Sequence, residues 1–211
     1  MARVLFIQNF WFEFLGTMVL SSVLQDHGHE VDLLIENRPD RIADHVARTA
    51  PDIVGAYTVS GSHNWVLDAM QAARRARNVF TIAGGPHPTY FPDFVRHDAL
   101  DAVCIGEGEY PLQELADRID SREDPSSIRN LWIKTGGTIH RNPLRPLIAN
   151  LDDLPGPDRA LYYDRYKLLR NSPSKHFITG RGCPFNCTFC SNKAYKELYR
   201  SLGPMVRQPS P

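Results

Sequence analysis

The chain of 211 residues carries 24 Lys and Arg against 24 Asp and Glu, a net charge of zero that draws it to neither nucleic acid nor anionic lipid. Its length suits one complete domain plus something smaller, since domains most often run to ~100–150 residues. The most apolar N-terminal window, NFWFEFLGTMVLSSVL, is broken by Glu13 and then by polar residues, short of the ~20 apolar residues of a membrane span. It shows no basic n-region or small-residue cleavage site, so a cytoplasmic chain is the default reading. In that compartment clustered cysteines bind metal or do redox chemistry more often than they form structural disulfides.

The first ~120 residues alternate short apolar runs with longer amphipathic ones, the pattern of a parallel sheet flanked by helices. Strands are predicted at 3–7, 30–35, 52–58, 79–84 and 101–106, with helices at 17–26, 40–50, 63–77, 91–97 and 110–119. Gly28 is placed as the C-cap of the first helix. Five strands with five helices predict an α/β, doubly wound, five-stranded parallel sheet of flavodoxin-like order. From residue 126 the pattern changes. IRNLWIKTGGTIHRN reads as a β-hairpin turning at Gly136 and Gly137. Pro143, Pro146, Pro155 and Pro157 then prevent a continuous helix or central strand, which makes an ordered connector. KHFITGRG, residues 175–182, reads as one more buried-type strand leading into the cysteines. The expected division is 1–125, 126–174 and 175–211.

Ligands of open parallel sheets bind outside the C-terminal ends of the strands, so those loops belong together. After strands three, four and five stand TVSGS (58–62), GGPHPTY (84–90) and GEGEYP (106–111). A glycine in a strand-to-helix turn is ordinary. Three glycine-rich, hydroxyl- and amide-bearing loops on one edge predict a long, polar-tailed ligand lying across it. The loop after strand one instead carries Phe10, Trp11, Phe12 and Phe14. These suit packing against the first helix or the connector, or walling a flat apolar cofactor. Cys104, in an apolar run, reads as a small buried hydrophobe, and His63 and His87 as polar loop residues. Glu107 and Glu109 are candidate acid–base groups, with the dipole of the helix they open as their simpler role.

The densest chemistry lies in RGCPFNCTFCSN, where Cys183, Cys187 and Cys190 make a C-x3-C-x2-C run. A structural zinc site wants four protein ligands, and no Cys or His follows Cys190; the nearest upstream candidate is His176. An iron–sulfur cluster is usually held by four cysteines, so three leave one iron without a protein ligand. A binding module with a structurally held metal stays open as the alternative.

This motif, following GRG and with Phe189 just before the last cysteine, resembles the cluster loop of the radical S-adenosylmethionine (SAM) superfamily. The resemblance implies that Cys183, Cys187 and Cys190 bind a 4Fe-4S cluster and that Phe189 lies near the adenine of SAM. Reductive cleavage would then yield a 5′-deoxyadenosyl radical. With TVSGS, GGPHPTYFPD, GEGEYPLQEL and LDDLPGPDR upstream, nearly the whole chain is similar to the cobalamin-binding radical SAM enzymes, which include methyltransferases and an anaerobic porphyrin ring cyclase. That resemblance implies cobalamin contacts at Thr58, Ser60, Gly61, Gly84, Gly85, His87, Gly106, Glu107 and Gly108. It also implies methyl transfer or carbon-skeleton chemistry, a small-molecule substrate, and an electron donor such as flavodoxin or ferredoxin.

One departure is informative. The D-x-H-x-x-G motif of classical cobalamin modules is absent, since aligning its glycine with Gly16 puts Trp11 and Glu13 at the aspartate and histidine places. DHGHE (26–30) holds the right letters at the wrong spacing and reads as a helix cap and surface turn. The expectation is cobalamin without protein histidine ligation, its lower face covered by part of the 10–14 aromatic cluster. Residues 175–211 amount to about one strand–helix unit of ~30 residues, and the chain stops at Ser210 and Pro211, in the form of a helix N-cap and first-turn proline. An N-terminal part of a longer enzyme, with the first unit of a truncated partial barrel, is therefore expected.

Overall fold

The computed structural model describes residues 1–210. In chain order the elements begin β1 (Arg3–Gln8), α1 (Leu15–Asp26), β2 (Glu30–Ile35), α2 (Pro39–Thr49), β3 (Ile53–Tyr57) and α3 (His63–Ala76). They continue with β4 (Phe80–Gly84), α4 (Pro86–Tyr90), a 3-10 turn (Pro92–Arg96), β5 (Ala102–Cys104) and α5 (Glu109–Ser121). The remainder comprises β6 (Leu131–Thr135), β7 (Thr138–Arg141), α6 (Ala160–Tyr163), α7 (Lys167–Arg170) and α8 (Ser191–Leu198).

The strands stand in the order β2-β1-β3-β4-β5-β6-β7. The first five are parallel in the flavodoxin-like order 2-1-3-4-5, as the alternation of elements predicts. The sheet nevertheless has seven strands rather than five. The hairpin does not stand apart but adds β6 and β7 antiparallel to the β5 edge. Its turn is the predicted one, with Gly136 and Gly137 both at positive φ.

Strand period two divides the core between the faces. Val4 and Phe6 of β1 pack with Met18 and Leu24 of α1 and Leu112 and Leu115 of α5, while Leu5 and Ile7 meet Ile42 and Val46 of α2 and Val66 and Met70 of α3. The connector closes the first face, contributing the fully buried Tyr162 and the buried Leu169. Helix α1 ends in a Schellman motif, with His29 N–H bonded to Leu24 O (3.0 Å), Gly28 N–H to Gln25 O (2.9 Å), and Gly28 at φ +81°.

Three local expectations change. The helix expected at 91–97 is instead α4 plus a 3-10 turn, because Pro86 starts a helix inside the glycine-rich loop and Pro92 breaks it. The DHGHE turn is not all surface: His29 is 6% exposed, its Nδ1 accepting Ala2 N–H (3.2 Å) and its Nε2 meeting Asp117 (3.1 Å). Residues 175–182 form no buried strand. Their only β contact is the Arg181–Arg207 bridge, and Phe177 and Ile178 are 76% and 61% exposed. A strand is defined by a ladder partner, and only Arg207 offers one. The helix start anticipated at the end of the chain reaches Pro211, which lies outside the described residues. Among the described residues no helix is long and apolar enough to cross a membrane.

Candidate functional site

A cleft of about 1160 Å³ opens along the C-terminal ends of the strands. That exceeds the ~300–1,000 Å³ of sites for drug-sized ligands. Its floor is the sheet beneath α1, with Phe6, Gly55, Ile82, Gly84 and Cys104 below and Leu15, Gly16, Leu20 and Leu112 alongside. The edge is formed by Gly85 and Gly106 to Glu109, and the far wall by Pro155, Gly156, Arg159, His176, Ile178 and Arg181. The walls are mostly apolar with a polar rim, the character of a site for a large ligand with a polar end.

Glycines keep this space open. A Cβ at Gly16 or Gly156 would meet nothing within 4 Å, so a side chain there would enter the cleft itself. Gly85 is constrained from behind: at φ +99° a Cβ would lie 2.8 Å from the Tyr57 ring. The neighbouring loops are stitched together by Thr58, fully buried, whose N–H donates to Gly84 O (2.7 Å) and whose carbonyl accepts His87 N–H (3.0 Å).

Of the residues assigned to this edge by resemblance, Gly84, Gly85, Gly106, Glu107 and Gly108 line the cleft. Thr58, Ser60, Gly61 and His87 lie outside the lining, on the adjoining loops. There Ser60 Oγ meets His87 Nδ1 at 3.1 Å, and the His87 ring stacks on His63 at 4.6 Å. Burial, with the charges of His63 and His97 adding to it, holds the His87 imidazole below its ordinary pKa.

The aromatic loop divides. Phe12 and Phe14 line the cleft, whereas Trp11 packs edge-on against Tyr166 of the connector at 5.5 Å. The loop is held from beneath by buried Gln8, whose Nε2 donates to Phe10 O (2.6 Å) and Phe12 O (2.8 Å) and whose Oε1 accepts the Tyr162 hydroxyl (2.7 Å). Glu13, at the place of the absent histidine, is 4% exposed and belongs to the lining of the cleft. Its carboxylate accepts the Tyr163 hydroxyl and the His176 backbone N–H (3.1 Å) and meets His176 Nδ1 (3.1 Å). Burial pushes its pKa up, but the bonds from Tyr163 and His176 outweigh that and hold it below the usual carboxylate value.

Cys104 is 6% exposed, with burial, then the charge of Glu109, pushing its thiol up to about 12. Cys183 and Cys190 are half-buried, Cys187 is exposed and Phe189 is 92% exposed. Among the described residues no three Cys, His, Asp or Glu side chains converge on one point, so the fold does not by itself gather the three sulfurs. It does give their loop a turn, Cys190 N–H to Cys187 O at 3.1 Å, and an anchor to α8 through Lys196 Nζ on Phe185 O (2.6 Å). As a donor set, three accessible thiols within eight residues suit soft iron–sulfur or zinc ligation.

The sequence reading missed Arg181 and Arg207. Arg181 Nη1 donates to Glu107 (2.9 Å) and its Nη2 to Glu109 (2.5 Å), while Arg207 Nη1 reaches Glu107 at 2.8 Å. Burial works to lower the Arg181 pKa, and the two carboxylates, Glu109 foremost, raise it overall. The only signal in the sequence was the complementary charge of GEGE and GRG.

Comparison with known proteins bears on the same elements. Residues 12–116 match the B12 binding domain. The chain is 35% identical over 189 residues to an uncharacterized methyltransferase of Pyrococcus horikoshii, covering 84% of this chain and 40% of that one. It is 26% identical over 173 residues to the anaerobic magnesium-protoporphyrin IX monomethyl ester cyclase of Rubrivivax gelatinosus, covering 78% of this chain and 31% of that one. The chain thus spans less than half the length of these relatives. The radical S-adenosylmethionine methyltransferase TsrM of Kitasatospora setae shares the fold over 100% of this chain and 43% of its own, with a TM-score of 0.75 at 18% identity. The chain thus carries a B12-binding domain at residues 12–116, within a fold that it shares with a radical S-adenosylmethionine methyltransferase.

Proposed function

We propose that the cleft holds cobalamin, that Cys183, Cys187 and Cys190 hold a 4Fe-4S cluster, and that both serve methyl transfer or carbon-skeleton chemistry on a small molecule. The observation that carries this reading is the cleft itself: it lies on the B12-binding domain and is walled on its far side by the segment that runs into the cysteines. In this reading residues 1–125 form the cobalamin-binding part, 126–174 the hairpin and connector, and 175–211 the start of the radical SAM part.

When bound, cobalamin supplies a methyl carrier and the cluster an electron for cleaving SAM. The chain's own residues orient and exclude. Gly84, Gly85, Gly106 and Gly108 let the backbone approach the ligand, and Thr58, Ser60, Gly61 and His87 continue the polar edge beside them. Of the four aromatics in the loop after β1, Phe12 and Phe14, not Trp11, would cover a face of the bound corrin, because only these two line the cleft. Glu13, engaged by Tyr163 and His176, would tie the loop after β1 to the far wall of the cleft. Phe189, exposed beside Cys190, is the candidate wall for the adenine of SAM. An external donor such as flavodoxin or ferredoxin would supply the electron.

Two measurements test this. Cobalamin titrated into the chain should bind and be excluded by Gly84→Leu; parent protein that leaves the cobalamin spectrum unchanged would refute the assignment. Anaerobic reconstitution with iron and sulfide should give a broad absorbance lost in Cys187→Ala and retained in Cys104→Ala. A stoichiometric, redox-silent zinc would instead support a binding module with a structural metal.

A further inference from the structure

Residues 176–181 are held by neither sheet pairing nor burial. They have no ladder beyond the Arg181–Arg207 bridge, and Phe177 and Ile178 face solvent. Arg159 of the connector binds His176 O (2.8 Å) and lies over the Phe177 ring (4.7 Å), and three carboxylates of the sheet edge hold the segment at its two ends. At one end Glu13, from the loop after β1, binds the backbone and ring of His176. At the other, the guanidinium fork of Arg181 spans Glu107 and Glu109 at 2.9 and 2.5 Å. Glu107 also binds Arg207, whose side chain is 3% exposed, and the N–H of Ile148 at 2.9 Å.

Arg181 and Arg207 bracket the cysteine loop and α8, and they bond each other's backbone at 2.8 and 2.9 Å. Glu107 therefore fixes both ends of one excursion of the chain. The approach is close enough to require glycine on either side of Arg181: a Cβ at Gly180 would lie 2.9 Å from Arg207 O, and one at Gly182, at φ +85°, would lie 2.7 Å from the Met205 carbonyl carbon. Two carboxylates and two guanidinium groups balance in charge, and removing one member leaves its partner buried and uncompensated.

We infer that Glu13, Glu107 and Glu109 are positioning residues that hold segment 176–181 across the cleft and so set the separation between the cleft and the cysteine loop. The inference rests on the cofactor assignments proposed above. It gives the acidic residues of GEGE, which line the cleft, a role that acts through Arg181.

The test compares Glu109→Gln and Arg181→Lys with the parent chain. Lysine keeps the charge but has only one nitrogen in place of the two that Arg181 gives to Glu107 and Glu109, so both variants should behave alike. Hydrogen exchange at the Arg181 and Arg207 amides should quicken at least about tenfold while the β1 to β5 amides keep their protection. In protein loaded with cob(II)alamin and the reduced cluster, the magnetic dipolar coupling between the two centres should change. Unchanged exchange in both variants, or unchanged coupling with both centres bound, would overturn the inference. Failure of the parent to bind cobalamin would refute the proposed function instead, and the exchange measurement would still decide the clamp.

Discussion

Gly106→Ala should destabilise the chain by about 2–5 kcal/mol, and the number follows from two separate costs. Gly106 sits at φ +78°, where an L-residue pays roughly 1–2 kcal/mol for the contact of its Cβ with the backbone. The same Cβ would overlap the Tyr199 hydroxyl and lie 2.7 Å from its Cζ. Tyr199 cannot easily yield. It is 2% exposed, is hydrogen-bonded to Ile105 O and Asn130 Nδ2 at 3.4 Å, and lies 4.8 Å from the ring of Tyr195. Forcing extra volume into such a site costs about 1–3 kcal/mol more. The assay is urea unfolding followed by near-ultraviolet circular dichroism, with Gly61→Ala as control. A Cβ at Gly61 meets nothing within 4 Å, so that change should stay within about 0.5 kcal/mol. Tyr199→Leu, which removes the hydroxyl and most of the ring, should recover part of the loss, with a coupling of roughly 0.5–3 kcal/mol. A Gly106→Ala chain as stable as the control, or simple additivity with Tyr199→Leu, would refute the steric argument.

Other outcomes follow from individual side chains. At pH 8 iodoacetamide should modify Cys183, Cys187 and Cys190 in the metal-free chain and spare Cys104, whose buried thiol stays protonated; mass spectrometry showing a fourth adduct before unfolding would contradict this. Tyr162→Phe leaves the buried Gln8 Oε1 without its donor and should cost about 1–3 kcal/mol in urea, more than Tyr163→Phe on the same helix. Burial raises the pKa of Asp32, yet hydrogen bonds from His45 and Arg165 bring it to about 2, below the ordinary ~3.9. The unfolded chain thus binds the Asp32 proton more tightly. The stabilisation is complete above about pH 4 and lost as pH falls through about 2. With Asp32 40% exposed, Asp32→Asn should cost only about 1 kcal/mol at neutral pH, and variant and parent should converge near pH 2 in an acid-stability series.

The parts of the fold legible in the sequence are those governed by local periodicity and backbone chemistry. The short apolar run of β1, the paired glycines of the hairpin and the Schellman glycine are each decided within a few residues. The glycine-rich edge loops were legible for the same reason, since the constraint acts on the backbone of the glycine itself. Two errors share a cause. The hairpin was read as separate and residues 175–182 as a buried strand, because apolar alternation reveals a strand's faces but not its partner. Leu131 and Ile133 found one in β5 and are fully buried, whereas Phe177 and Ile178 found none and are exposed.

The chemistry of the site shows the same division. The spacing of Cys183, Cys187 and Cys190 is a property of covalent sequence and can be read directly, while the gathering of their sulfurs depends on what they bind, because ligation and local folding are coupled. Ion pairs were the least legible feature. Arg181 meets Glu107 across 74 residues and Arg207 meets it across 100, with no periodicity to connect them. Glu13 makes the point most sharply. The absence of the D-x-H-x-x-G histidine was visible in the sequence, but the role of Glu13 was readable only in three dimensions, where its carboxylate binds Tyr163 and His176. A carboxylate at this position thus ties the loop after β1 to the segment that carries the cysteines.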